Sequence, residues 1–225
     1  MAIFKNNPPI VTNGLVLALD AGNTLSYVSG STTWSDLSGN NNSGSLVNGP
    51  TFSTDGGGSI VFDGTNDFIS LPQSLLPDNF TYSIWAIRDG TGNQGTRGIV
   101  ISNGTTYIDV GFNNRILFSL MLSGGSQNLI QSANGVVASV GVWAHYIATY
   151  NRQQAKLYYN GVEVGSSNYT LSPINDFNTF RVGGYAGGSY NLNGKISNVQ
   201  YYDRALSASE VQQNYNATKT RFGLT

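Results

Sequence analysis

Residues 194–224, GKISNVQYYDRALSASEVQQNYNATKTRFGL, constrain the fold more than any other part of this chain. Ile196, Val199 and Tyr201 lie in a β-favouring run, and Asp203 and Arg204 turn the chain. Ser207 and Glu210, three residues apart, then form a capping box, which predicts a short helix over 208–216. An aromatic strand feeding a capped helix in this order points to one architecture.

The rest of the chain reads as β structure. At 225 residues it has the length of one large all-β domain, and its 28 glycines, 13 tyrosines and only 10% charged residues are a turn-rich β composition. From Ser59 onward, short apolar runs alternate with turn signals at the spacing of an antiparallel sandwich. Phe80, Tyr82, Ile84 and Ala86 fall on one face of a strand and Trp85 with Ile87 on the other, the pattern of a central strand covered on both sides. Asn160-Gly161 predicts a type I′ hairpin, and Asn113-Asn114 a similar turn. Residues 1–13 carry Pro8 and Pro9 and read as an extended N-terminal arm; residues 14–225 form the domain, with mainly loop and short edge strands over 21–50.

Charge and cysteine content exclude whole classes. With 11 basic and 12 acidic residues the net charge is −1, which leaves no electrostatic footprint for nucleic acid. The absence of cysteine excludes disulfides and thiolate metal sites. No run reaches the roughly 20 apolar residues of a membrane helix, so no membrane insertion is expected, and MAIFKNNPPIVTNG lacks the apolar stretch of an export signal.

Four segments, in order, resemble the laminin-G-like domain of the concanavalin A-like jelly-roll superfamily: GLVLALDAGNT with TTWSDLSGNNNSG; SIVFDGTNDFISL, through Phe62, Asp63, Gly64, Asp67 and Phe68; VWAHYIATYNRQQAKLYYNGVEV, through Trp143, His145, Tyr158, Asn160 and Gly161; and the C-terminal segment. The resemblance implies an all-β, two-sheet antiparallel jelly-roll sandwich with a short C-terminal helix. The chain departs from the family's pattern at Asn151-Arg152, where Asp-Gly is common, and near Ser197 and Asn198, where acidic residues are. Both departures weaken an inherited metal site.

Chemistry narrows the function further. Related jelly-roll glucanases use a pair of carboxylates roughly 5 Å apart. Here the only glutamates are Glu163, beside a hairpin turn, and Glu210, in the helix cap, so no catalytic residue is assigned and no enzyme activity is expected. His145, the sole histidine, lies in a β run beside Trp143 and reads as a packed strand residue. No cofactor is required by the sequence. Asp63, Asn66 and Asp67, with Asp20 from the first strand, could ligate calcium, while the simpler reading is an Asx-type turn. For glycan binding, Tyr107, Tyr185 and Tyr190 supply stacking faces, with Arg97 and Asn191 as polar partners.

The opening and the NYNATKTRFGL ending resemble laminin-G-like proteins of tailed bacteriophages. That implies a non-enzymatic virion structural protein, a capsid decoration or fibre component assembled in the host cytoplasm and exposed on the particle. Its partners would be a viral capsid or tail protein and a cell-surface glycan, and homo-oligomers would bury residual sheet edges. The alternative is a lectin-type module of a bacterial adhesin or a polysaccharide-acting protein.

Overall fold

A computed structural model describes residues 8–72, 79–90, 98–104, 106–111, 115–122, 126–133, 136, 139–169, 180–185 and 189–225. Among these, sixteen strands form the two antiparallel sheets that the sequence predicts, with one α-helix near the C-terminus.

The first sheet runs β14 (Val162–Asn168), β13 (Gln154–Tyr159), β12 (Ala144–Tyr150), β7 (Phe80–Arg88), β16 (Asn193–Tyr202), β5 (Ser59–Asp63) and β4 (Thr51–Ser53), and β1 (Leu15–Asp20) pairs with β16 beyond the end of β5. The second runs β11 (Ser126–Gln131), β10 (Ile116–Leu122), β9 (Thr106–Val110), β8 (Ile99–Asn103), β15 (Phe180–Val182), β6 (Phe68–Leu71), β3 (Gly44–Val47) and β2 (Thr33–Trp34).

Strand β7 is central, between β12 and β16, and is buried throughout. Its Phe80, Tyr82, Ile84 and Ala86 enter the core between the sheets, where Phe80 and Tyr82 pack on Tyr201, and Phe118 and Phe180 come in from the second sheet. Thr81, Ser83, Trp85 and Ile87 face outward, as a period of two requires. The β13–β14 hairpin turns at Asn160 (φ 50°) and Gly161 (φ 80°), both left-handed as a type I′ turn demands. Asn160 also ties the turn to β12, its Oδ1 accepting from the His145 N–H at 2.9 Å. The Asn113-Asn114 turn lies outside the described residues. Arg152 stands at φ 67°, a conformation that the glycine of the family's Asp-Gly would take without strain.

Helix α1 (Ala208–Thr218) begins at the expected box: Ser207 Oγ accepts from the Glu210 N–H, and the Glu210 carboxylate accepts from the Ser207 N–H. It runs two residues past the predicted end, because Thr218 Oγ1 donates to the Asn214 carbonyl and accepts from Trp85 Nε1, which holds the last turn on the sheet. A 3-10 turn over Lys219–Phe222 follows.

Of the N-terminal arm, the described part is packed onto the domain. Val11 is buried with Ile147, Tyr158, Tyr202, Leu206 and Val211. Its N–H donates to Asn214 Oδ1 and its carbonyl accepts from Tyr202 Oη, while Gln213 Nε2 donates to the Pro9 carbonyl. Among the described residues no helix is long and apolar enough to cross a membrane.

Candidate functional site

The two sheets offer two outward faces, and side chains decide which is open. On the first sheet, Trp85 stacks on His145 (centroids 4.9 Å, 3° between planes) and on Phe222 (4.0 Å, 13°), with Trp143 and Tyr215 alongside. The Trp85 ring is thereby closed under α1 and the 3-10 turn. His145 Nε2 lies 2.9 Å from Ser83 Oγ, and Nδ1 has no partner among the described residues. Burial pushes its pKa down to about 3, so the ring is neutral and packed, as the sequence predicts.

On the second sheet no helix covers the outward face among the described residues. Cross-strand pairing lays Ser45, Ser70, Arg181, Ser102, Tyr107, Ser119 and Leu129 in one row from β3 to β11. Tyr107, Tyr185 and Tyr190, distant in sequence, come together on this face with Leu117. Tyr107 meets Tyr185 edge-on at 5.6 Å, and Tyr185 meets Tyr190 at 6.2 Å. Tyr107 is 7% exposed, whereas Tyr185 and Tyr190 are half-buried. Gly184 and Tyr185 are held down by Ser102 Oγ, which donates to the Gly184 carbonyl, and by Arg181 Nη1, which donates to the Tyr185 carbonyl.

Arg181 also lies over the Phe68 ring at 4.0 Å from its centroid. It is a residue of this face that sequence reasoning missed. The signal was there: Arg181 interrupts the core pair Phe180 and Val182 and must point outward. Asp109 was missed too; it is fully buried on the same strand face as Tyr107, and its Oδ1 accepts from the Gly98 N–H. Asn191, expected beside the tyrosines, spends its Nδ2 on the Thr65 carbonyl at 2.6 Å and so pins the β5–β6 turn. Arg97 lies outside the described residues.

The four residues considered for calcium do not come together. Asp63 Oδ1 accepts from the Thr65 and Asn66 N–H groups, and Asp67 Oδ2 accepts from the Asp63 N–H, which is the Asx-type turn. Partial burial works against ionisation of Asp63, yet the surrounding N–H groups hold its pKa below the ordinary carboxylate value; burial raises that of Asp67. Asp20 is elsewhere: it pairs with Asn198 and Asp63 with Asn193, five residues apart on β16, or roughly 16 Å at the rise of a strand. Its Oδ1 accepts from Arg221 Nη1 at 2.7 Å and from the Gly22 N–H. Among the described residues no three acidic or histidine side chains gather as a metal cage. Both glutamates are ion-paired, Glu163 with Lys156 (2.9 Å) and Glu210 with Arg204 (2.6 Å).

Residues 63–212 match the family model described as the concanavalin A-like lectin/glucanases superfamily. No curated protein sequence matches the chain. Among solved structures, the binding domain of Paraclostridial Mosquitocidal Protein 1 superposes with a TM-score of 0.69 at 20% identity, over 92% of this chain and 52% of that one. Domain 4 of AbnA, a GH43 extracellular arabinanase from Geobacillus stearothermophilus, in complex with arabinotriose, does so at 0.64 and 18%, over 89% and 98%. The ligand binding domain of botulinum neurotoxin serotype D, in complex with N-acetylneuraminic acid, gives 0.68 and 15%, over 91% and 51%. This chain thus spans about half the length of the toxin binding domains. These likenesses establish a shared fold.

Proposed function

We propose that this chain, which belongs to the concanavalin A-like lectin/glucanases superfamily, is a non-enzymatic glycan-binding protein whose ligand lies on the outward face of the second sheet. One observation carries the reading: Tyr107 of β9 meets Tyr185 and Tyr190 on a face that bears Arg181 and hydroxyl side chains. Sugar rings offer C–H faces that pack on aromatic rings and hydroxyls that need planar polar partners. Tyr185 and Tyr190 supply the first and Arg181 the second. The complexes of arabinotriose with AbnA domain 4 and of N-acetylneuraminic acid with the serotype D binding domain are consistent with glycan recognition by proteins of this fold.

A glycan array tests the reading. Selective binding should appear, and Tyr185→Ala and Tyr190→Ala should each weaken it about tenfold, equivalent to ~1.4 kcal/mol, with the melting temperature lowered by no more than about 4 °C. Binding that is absent, or that survives both substitutions, overturns it.

The particle-bound reading, a decoration or fibre protein held to a capsid or tail, is supported by the phage-like wording of residues 14–24 and 214–224. Cosedimentation with purified particles is its test. A truncation meant to remove a docking arm must stop at residue 8, because Pro9 and Val11 belong to the packing around α1. Loss of cosedimentation on that truncation assigns the arm as anchor; unchanged cosedimentation rejects it.

A further inference from the structure

Asn198 and Gln200 stand next to each other on the outward face of β16, and both line an open cleft with amide groups that the protein leaves available. Asn198 is only 4% exposed, and neither of its side-chain polar atoms has a hydrogen-bond partner among the described residues. Gln200 is 7% exposed. Its Oε1 accepts from Ser83 Oγ (3.2 Å) and Asn214 Nδ2 (3.5 Å), while its Nε2 has no partner there. Two amide groups left available side by side, on residues otherwise almost wholly buried, point to a ligand.

Both line a cleft of about 270 Å3. Its floor is two rungs of the β1–β16 ladder, Ala18 opposite Gln200 and Asp20 opposite Asn198. Ile10, Leu15 and Leu37 form apolar walls, and Leu37, 39% exposed, is fixed at the mouth by its N–H donating to the Ala18 carbonyl. Asp20 closes one end. Its Oδ1 is taken by Arg221 and Gly22, and its Oδ2 has no partner among the described residues.

The chemistry of this cleft is selective. A free anion would meet the Asp20 carboxylate, and a cation would lose its hydration among three aliphatic walls beside Arg221. A plain sugar would set hydroxyls against Leu15 and Leu37. A secondary amide fits, because its N–H and carbonyl point in opposite directions and its acyl group is apolar. We infer that the cleft binds the acetamido group of an N-acetylated hexosamine: the carbonyl oxygen accepts from Gln200 Nε2, the N–H donates to Asn198 Oδ1, and the methyl lies on Ala18 between Leu15 and Leu37. Asp20 Oδ2 accepts from a ring hydroxyl. The cleft is on the opposite sheet from the tyrosine cluster and does not depend on that site.

Saturation-transfer NMR of the intact protein with N-acetylglucosamine, glucose and glucosamine tests this. N-acetylglucosamine should saturate most strongly at its acetyl methyl, with an intermolecular NOE to the Ala18 methyl, and the other two sugars should not compete. Asn198→Leu should lower the affinity about tenfold, and Leu37→Glu, at the exposed mouth, should do the same without touching the core. Tyr185→Ala should leave this binding unchanged, which separates it from the proposed second-sheet site. Equal saturation by glucose, absence of the Ala18 NOE, or full binding by Leu37→Glu overturns the inference, and these readouts stand even if Asn198→Leu fails to fold.

Discussion

The outward residues of β7 are Thr81, Ser83, Trp85 and Ile87; those of the facing sheet include Ser102, Tyr107, Leu117 and Ser119. Both sets mix aromatic, aliphatic and hydroxyl side chains, and by pattern alone they are equivalent. They end differently because the first is roofed. Trp85 is held between His145 and Phe222 under a capped helix, whereas Tyr107 meets two further tyrosines that remain half-buried in loops. An outward aromatic thus becomes a second core where the chain supplies a helix to cover it, and a recognition surface where it supplies a loop.

The largest expected effect separates these two roles. Trp85→Ala removes the ring that joins β7, β12 and the C-terminal turn, and should cost about 3–5 kcal/mol in urea unfolding. Tyr190→Ala, on the other face, should cost under about 1 kcal/mol. Equal costs would break the comparison.

Next in size is the response to acid. The folded pKa of His145 is about 3, against an ordinary 6.5, because burial opposes the charged ring. Between these values the unfolded chain binds the extra proton, so stability is complete above pH 6.5 and falls progressively towards pH 3, by up to ~1.4 kcal/mol per unit. Urea midpoints measured across this range should show the slope, and His145→Gln should flatten it.

Smaller still is the cap that anchors the roof. Arg204 donates two hydrogen bonds to Glu210, and these, with the Ser207 N–H and hydroxyl, hold its pKa down to about 2 although partial burial opposes this. That stability is present above the unfolded value near 4.5 and is lost as pH falls through about 2. Ser207→Ala should cost ~1 kcal/mol at pH 7, read as a lower melting temperature. The smallest effect is none: a chelator should leave the melting temperature unchanged, since the Asp63 carboxylate is satisfied by backbone N–H groups. A drop on chelation would reopen a calcium site at this turn.

Much of the architecture was legible because it is local. The capping box, the Asn160-Gly161 hairpin and the alternation along β7 each follow from residues within a few positions of one another, and all appear as expected. The tyrosines were legible as types, and their convergence was not. Tyr107 reaches Tyr185 and Tyr190 only because β9, β8 and β15 lie side by side. Asp20 shows the converse: as a residue type it suited Asp63 and Asp67, but the β1–β16 register delivered it to Arg221.

Residues within one turn or one strand repeat thus determined, by themselves, the sandwich, its bends and its terminal helix, since steric preference and hydrogen-bond capping act over short stretches of chain. Which outward face was roofed, and that Asn198 and Gln200 were left lining a cleft, depended on packing between segments far apart in the chain. Only the assembled sheets and the helix laid across one of them could decide that.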